Sequence, residues 1–147
     1  MKIGLASDHR GYKLKQQLIE ELVKRNYEVE DYGTDSEEST DYPDYAFKLG
    51  EHVRDKKVDF GVAICGSGIG ISIACNKVKG VRCAKVTTRK EAQVTRNDNN
   101  SNIVAFGEKT TIEDALAIVT TFINTPFSDL EKHQRRVDKI TDYEENN

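Results

Sequence analysis

Apolar residues along this chain follow two alternating rhythms. Short unbroken runs, Lys2 to Ala6, Phe60 to Ile64 and Ile103 to Phe106, have the length and composition of strands buried on both faces. Between them apolar positions recur every three or four residues: Leu14, Leu18, Ile19, Leu22 and Val23 share one face of an expected helix. Glu28 to Tyr32 reads as a second strand, Gly33 to Pro43 as a polar loop, and Tyr45 to Lys56 as a helix with Phe47, Leu49 and Val53 inward. A helix following Phe60–Ile64 ends before Gly80, Arg82 to Val86 forms a fourth strand, and Arg89 to Arg96 is helical. The cluster Asp98-Asn99-Asn100-Ser101-Asn102 is expected to form a turn rather than extend that helix. After the strand Ile103 to Phe106 comes a helix from about Thr111 to Ile123, which Pro126 breaks before a charged helix, Asp129 to Tyr143.

Strands interleaved with helices in this way predict an α/β fold: a doubly wound, five-stranded parallel sheet in a Rossmann-like three-layer sandwich, with an extra C-terminal helix. The length of 147 residues suits one domain over 1–147. In such sheets ligands sit beyond the carboxyl ends of the strands. That rule places Ser7-Asp8-His9, Cys65 to Gly70, Thr87, Thr88 and the segment after the fifth strand on one rim.

The chemistry concentrates after the third strand, where Cys65-Gly66-Ser67-Gly68-Ile69-Gly70 places a thiol at the mouth of a glycine-rich turn. Glycines at alternate positions let backbone N–H groups converge on an anion, and the following segment continues as a helix. A cysteine in that positive potential is suited to act as a thiolate, either as nucleophile or as proton-abstracting base. The plainer reading of such a cysteine is a small buried hydrophobe, which is the one kept for Cys75 and Cys83. A dinucleotide loop fits less well, because the run does not open the first strand–helix unit, and no Walker lysine follows it.

Composition excludes several classes. A formal net charge of −3 offers no basic excess for nucleic acid, and no apolar run approaches the roughly 20 residues of a membrane span. Met1-Lys2-Ile3-Gly4 enters a strand at once, without a signal peptide, and the odd count of cysteines fits a reducing compartment. A cytoplasmic protein without nucleic-acid or membrane partners is expected. The cysteines match no metal-ligand spacing, so no metal and no cofactor are expected. Lys132, His133, Arg135 and Arg136 crowd the C-terminal helix, where Lys132, Arg135 and Arg136 share a face. They form either a solvated basic face or a phosphate clamp, and a helix too far from its own rim can serve that of a neighbouring subunit.

Ser7-Asp8-His9-Arg10-Gly11, Asp41-Tyr42-Pro43, the run Ile64 to Ser72, Asn76-Lys77, Asn102 to Gly107, and His133-Gln134-Arg135-Arg136-Val137 occur in this order over nearly the whole chain. The set resembles the type B ribose-5-phosphate isomerases, part of a sugar-phosphate isomerase family that includes the galactose-6-phosphate isomerase subunits. The resemblance implies a metal-free aldose–ketose isomerase interconverting ribose 5-phosphate and ribulose 5-phosphate through a cis-enediolate. Cys65 would be the base, with Ser67 and the backbone from Gly66 through Gly68 and Ile69 to Gly70 stabilising the enediolate. Asp8 and His9 match positions that touch sugar hydroxyls and phosphate, Asn99 one that holds the sugar, and Lys109, Lys132 and Arg136 positions that grip phosphate. Homodimers or homotetramers with shared active sites are implied as well. One departure stands out: Arg96-Asn97-Asp98-Asn99 replaces a run of the form Arg-x-His-Asn, whose histidine helps open the sugar ring. Ring opening then falls to Asp98, another residue or water. Lys109 and Lys132 stand where arginine is common, which keeps the charge but not the bidentate geometry. The alternatives are an isomerase of an aldose 6-phosphate, of allose or galactose type, alone or as a heteromer subunit, and a non-catalytic sugar-phosphate binder.

Overall fold

The five strands β1 (Lys2–Ser7), β2 (Glu28–Asp31), β3 (Phe60–Cys65), β4 (Cys83–Lys85) and β5 (Ile103–Gly107) form one parallel sheet in the order β2-β1-β3-β5-β4, in a computed structural model that describes residues 1–147. Register is set through the central strands, with Ala6 opposite Ala63, Ser7 opposite Ile64 and Cys65 opposite Gly107. Because the chain steps outward from β1 to β2 and resumes at β3 on the other side of β1, the winding direction reverses between β1 and β3. A crevice opens at the carboxyl ends of strands at such a reversal.

Six helices cover the sheet: α1 (Tyr12–Lys24), α2 (Tyr42–Arg54), α3 (Ile69–Cys75), α4 (Arg89–Asn99), α5 (Ile112–Asn124) and α6 (Glu131–Glu145). Leu14, Leu18 and Leu22 of α1, Ala92 of α4, and Ala115, Ile118, Val119 and Phe122 of α5 close one core against Ile3, Leu5, Val62, Ile64, Val104 and Phe106. Ala46, Leu49 and Val53 of α2, with Ile71, Ala74 and Cys75 of α3, close the other against Ala6, Ala63 and Ala105. Strands apolar on both faces therefore sit between two helical layers, as the expected sandwich requires. The C-terminal helix α6 docks on α4 through His133 and Val137, its two buried residues.

Several local expectations are corrected. Val23 and Phe47, expected inward, are 53 % and 39 % exposed. Lys15 takes a buried place on α1 instead, its ammonium donating to Asp31 Oδ1 at 2.7 Å and Gln16 Oε1 at 3.0 Å and lying over the Tyr12 ring. A buried cation persists only with such partners. Helix α2 starts at Tyr42 rather than Tyr45, because Pro43 falls in its first turn, where proline's missing N–H costs no helical bond. The turn expected at Asp98 and Asn99 is displaced: α4 runs through both and stops at Asn100, which caps it in the left-handed conformation (φ 48°). Arg96 holds that end from within, its Nη1 donating to Asn100 Oδ1 and the Ser101 carbonyl, both at 2.8 Å. These bonds, with the one that Arg96 Nε donates to the distant Thr125 carbonyl at 3.1 Å, offset the low helix propensity of the Asn/Asp run.

Candidate active site

The crevice between β1 and β3 is an open cleft of about 630 Å³ lined by Asp8–Arg10, Ser39–Pro43, Cys65–Ser67 and Gly70. Its first wall is the turn after β1. Asp8 is nearly buried, and its Oδ1 accepts the N–H groups of Arg10 at 3.0 Å and Gly11 at 3.1 Å. That turn fixes the carboxylate and leaves Oδ2 as the acceptor for a ligand. His9 is fixed as well: its Nδ1 accepts the N–H of Thr40 at 3.2 Å. A backbone N–H only donates, so Nδ1 carries the lone pair, and in the neutral ring Nε2 holds the proton.

The second wall is the turn after β3. Cys65 is 4 % exposed, and its Sγ accepts the Gly68 N–H at 3.2 Å. Ser67 Oγ accepts the Ile69 N–H at 3.1 Å, so these two donors of the glycine-rich turn already hold its own side chains. Gly68 has φ +79°, and a Cβ there would stand 2.6 Å from the Phe106 carbonyl carbon. Gly68→Ala is therefore expected to displace the turn from β5, lowering thermal stability by several degrees and turnover by at least about 100-fold. A melting curve and rate matching the parent would contradict this. Gly70 admits Tyr42 instead of a side chain of its own: a Cβ would lie 2.7 Å from Tyr42 Cζ. The end of the polar loop expected over Gly33 to Pro43 thus becomes the third wall, Ser39 to Pro43, with Tyr42 over the turn.

The expected site residues divide into two groups. Asp8, His9, Cys65, Gly66, Ser67 and Gly70 share the cleft, with Gly68 beneath Cys65, whereas the Ile69 side chain points outward and is 54 % exposed. The others lie elsewhere on the chain. Asn99 borders a separate groove with Asn76, Arg82 and Cys83, and its Oδ1 accepts the Thr95 hydroxyl at 3.2 Å. Asp98 Oδ1 lies 3.8 Å from His133 Nε2, while His133 Nδ1 is buried without a partner. Lys109 is exposed beside Glu108, after β5. Lys132 and Arg136 are exposed on α6, where Arg135 is tied to Glu131 at 2.6 Å.

Sequence reasoning missed two cleft features. Arg10 lines the cleft, its Nε 2.6 Å from Glu108 Oε2, and that hydrogen bond and charge hold Glu108 below the usual carboxylate range. The only signal in the sequence was a cation next to Asp8-His9, and its partner lies 98 residues away. Thr40 was missed because its role rests on the backbone. Cys75 is buried, in keeping with its plain reading, whereas Cys83 is half-buried, and its hydrogen bond to Cys75, with desolvation, pushes the Cys83 thiol well above its ordinary value. No group of three His, Cys, Asp or Glu side chains is placed to hold a metal ion, and no helix is long and apolar enough to cross a membrane.

Residues 3–140 match the family model described as Ribose/Galactose Isomerase. Ribose-5-phosphate isomerase B of Escherichia coli is 41 % identical over 145 residues, covering 98 % of this chain and 97 % of its own. The structure of ribose-5-phosphate isomerase B from Clostridium thermocellum superposes with a TM-score of 0.95 at 46 % identity, covering 99 % of both chains. The Mycoplasma genitalium enzyme, solved with bound ribulose-5-phosphate, gives 0.93 at 37 % identity over 99 % of this chain and 97 % of its own.

Proposed function

Since the chain belongs to the ribose/galactose isomerase family, and is thereby a sugar-phosphate isomerase, we propose that it interconverts ribose 5-phosphate and ribulose 5-phosphate with Cys65 as the base. The observation that carries this reading is the thiol at the end of β3, held by the Gly68 N–H and facing the Asp8–His9 wall. In the open-chain sugar the thiolate takes the C2 proton, the C2–H pair becomes the C1–C2 double bond, and the carbonyl oxygen becomes the enediolate oxygen. Transfer of the O2 proton to O1, as C2=O2 forms, and return of the first proton to C1, as the C1–C2 double bond is lost, complete the ketose. Ser67 and those N–H groups of the turn from Gly66 to Gly70 that are not engaged by Cys65 and Ser67 stabilise the enediolate. Asp8 Oδ2 accepts from sugar hydroxyls, and His9 Nε2–H donates to phosphate.

Asn99, Lys109, Lys132 and Arg136 complete the site in an assembly of identical chains. Two features support this. The phosphate-gripping cations of α6 do not line the cleft of their own chain, and α3, which begins beside Cys65, exposes Ile69 and Ile73 on its outer face. Apolar exposure of that kind beside a site fits an interface between copies, here a homodimer or homotetramer. The chain acts as one isomerase domain over 1–147, in the cytoplasm and without a cofactor.

Asp98 favours a second reading, an aldose 6-phosphate of allose or galactose type, because the ring-opening histidine is replaced. A panel of ribose 5-phosphate and the 6-phosphates of allose and galactose, run on the chain and on Asp98→His, separates the two. The first reading expects ribose 5-phosphate to give the highest kcat/KM, and the substitution to speed this mostly cyclic substrate more than an open-chain analogue. A better 6-phosphate substrate, slowed by the same change, would establish the second. No aldose–ketose conversion of any of them would overturn both.

A further inference from the structure

The cleft is short of positive charge for the substrate just proposed. Asp8 and Asp41 contribute two carboxylates to its walls, and Arg10 is the only lysine or arginine among its lining residues. A phosphate dianion entering this half of the site meets one permanent cation belonging to the same chain. That cation is also placed with care. The Arg10 guanidinium lies along the backbone of Gly66, so that a Cβ on Gly66 would be 3.6 Å from Arg10 Cζ and 3.7 Å from Glu108 Oε2.

Glu108 holds it there. Arg10 Nε donates to Glu108 Oε2 at 2.6 Å, and Nη2 faces Oε1 at 3.5 Å. Arg10 follows β1 and Glu108 follows β5, the strands on either side of β3, so the pair spans the carboxyl edge above the glycine-rich turn. The Glu108 N–H donates to the Gly66 carbonyl at 3.2 Å, which fixes the carboxylate to that turn. The Arg10 side chain is 57 % exposed, and an ion pair so exposed adds little to folding. With Nε and one Nη2 proton directed at Glu108, the rest of the fork is free to donate to another anion.

We propose that Arg10 is a substrate-binding residue that donates to an anionic phosphate oxygen of the sugar phosphate, and that Glu108 is its built-in counter-ion, positioning the guanidinium and moderating its pull. The assignment rests on the sugar-phosphate reading of the cleft and adds a cation that is not among the phosphate-gripping positions implied by the resemblance. No covalent step is involved.

The test uses the opposite consequences of breaking one ion pair from its two ends. Titration calorimetry of the full chain with inorganic phosphate and with ribose 5-phosphate would compare Arg10→Gln, Glu108→Gln and the parent. Loss of the cation should weaken both ligands roughly 10-fold and raise KM with kcat nearly unchanged, whereas loss of the counter-ion should tighten phosphate about threefold. Both substitutions should leave the melting temperature within about 2 °C of the parent. A strap that only joins two loops predicts that the variants behave alike. Equal weakening by both, or no change on losing Arg10, would overturn the assignment. Failure of the isomerase reading shows differently: ribose 5-phosphate is not turned over, while the opposed effects on inorganic phosphate remain.

Discussion

Cys65→Ala should abolish isomerisation, lowering kcat by at least about 1,000-fold, while ribose 5-phosphate still binds within a few-fold of the parent. The asymmetry follows from where the thiol acts. In the proposed mechanism, hydroxyl and phosphate contacts through Asp8, His9 and the cations supply ground-state affinity, whereas Cys65 meets the substrate at the carbon whose proton is moved. The fold should survive, because the substitution removes one sulfur from a residue that is 4 % exposed, at a cost of about 1 kcal/mol. Exchange of the C2 proton with solvent, followed by NMR in deuterated buffer, is the direct measurement. Parent-like exchange in the alanine variant would remove Cys65 from the mechanism. Calorimetric binding, measured in parallel, separates a lost base from a collapsed site.

Mixing two inactive variants should restore activity if the site is shared between chains. In the proposed dimer, Cys65 of one copy works with Lys132 and Arg136 of the other, so Cys65→Ala and Arg136→Ala each damage both sites of their own homodimer. A hybrid dimer carries one site with both lesions and one with neither. Random exchange at equal amounts should therefore recover about a quarter of parental turnover. Subunit exchange must be verified independently, by mass spectrometry of differently tagged chains. No recovery after verified exchange would place Arg136 in service of its own cleft, and a moving α6 would then have to carry it there.

How much of this was legible in the sequence depended on the range of the interaction concerned. The strand Phe60–Ile64 running into a cysteine and alternating glycines announced both the fold and the position of the thiol. A buried strand needs continuous apolar residues and a tight turn needs glycine, and both are local requirements. Apolar spacing marked the helices, with errors where two choices were locally equal. On α1 Val23 is exposed while Lys15 is buried, because Asp31 at the end of β2 supplies the partner that its ammonium needs. Likewise Asp98 and Asn99 read as a turn, but Arg96, anchored on the Thr125 carbonyl 29 residues away and bonded to residues 100 and 101, carries the helix past them.

What the sequence alone determined is the alternating α/β plan, the thiol at a strand end and the ordered motifs of the family, because strand burial, helical periodicity and glycine turns depend on residues within a few positions of one another. The tertiary structure decided which neighbours those residues acquire. The reversal between β1 and β3 opened the cleft, Thr40 reached across to set the His9 tautomer, and β5 brought Glu108 to Arg10. It also left Lys132 and Arg136 outside the cleft, since their position depends on how α6 docks against α4. Contacts of this kind join residues 31 or 98 positions apart, and no local pattern records them, because their geometry exists only once the strand order is set.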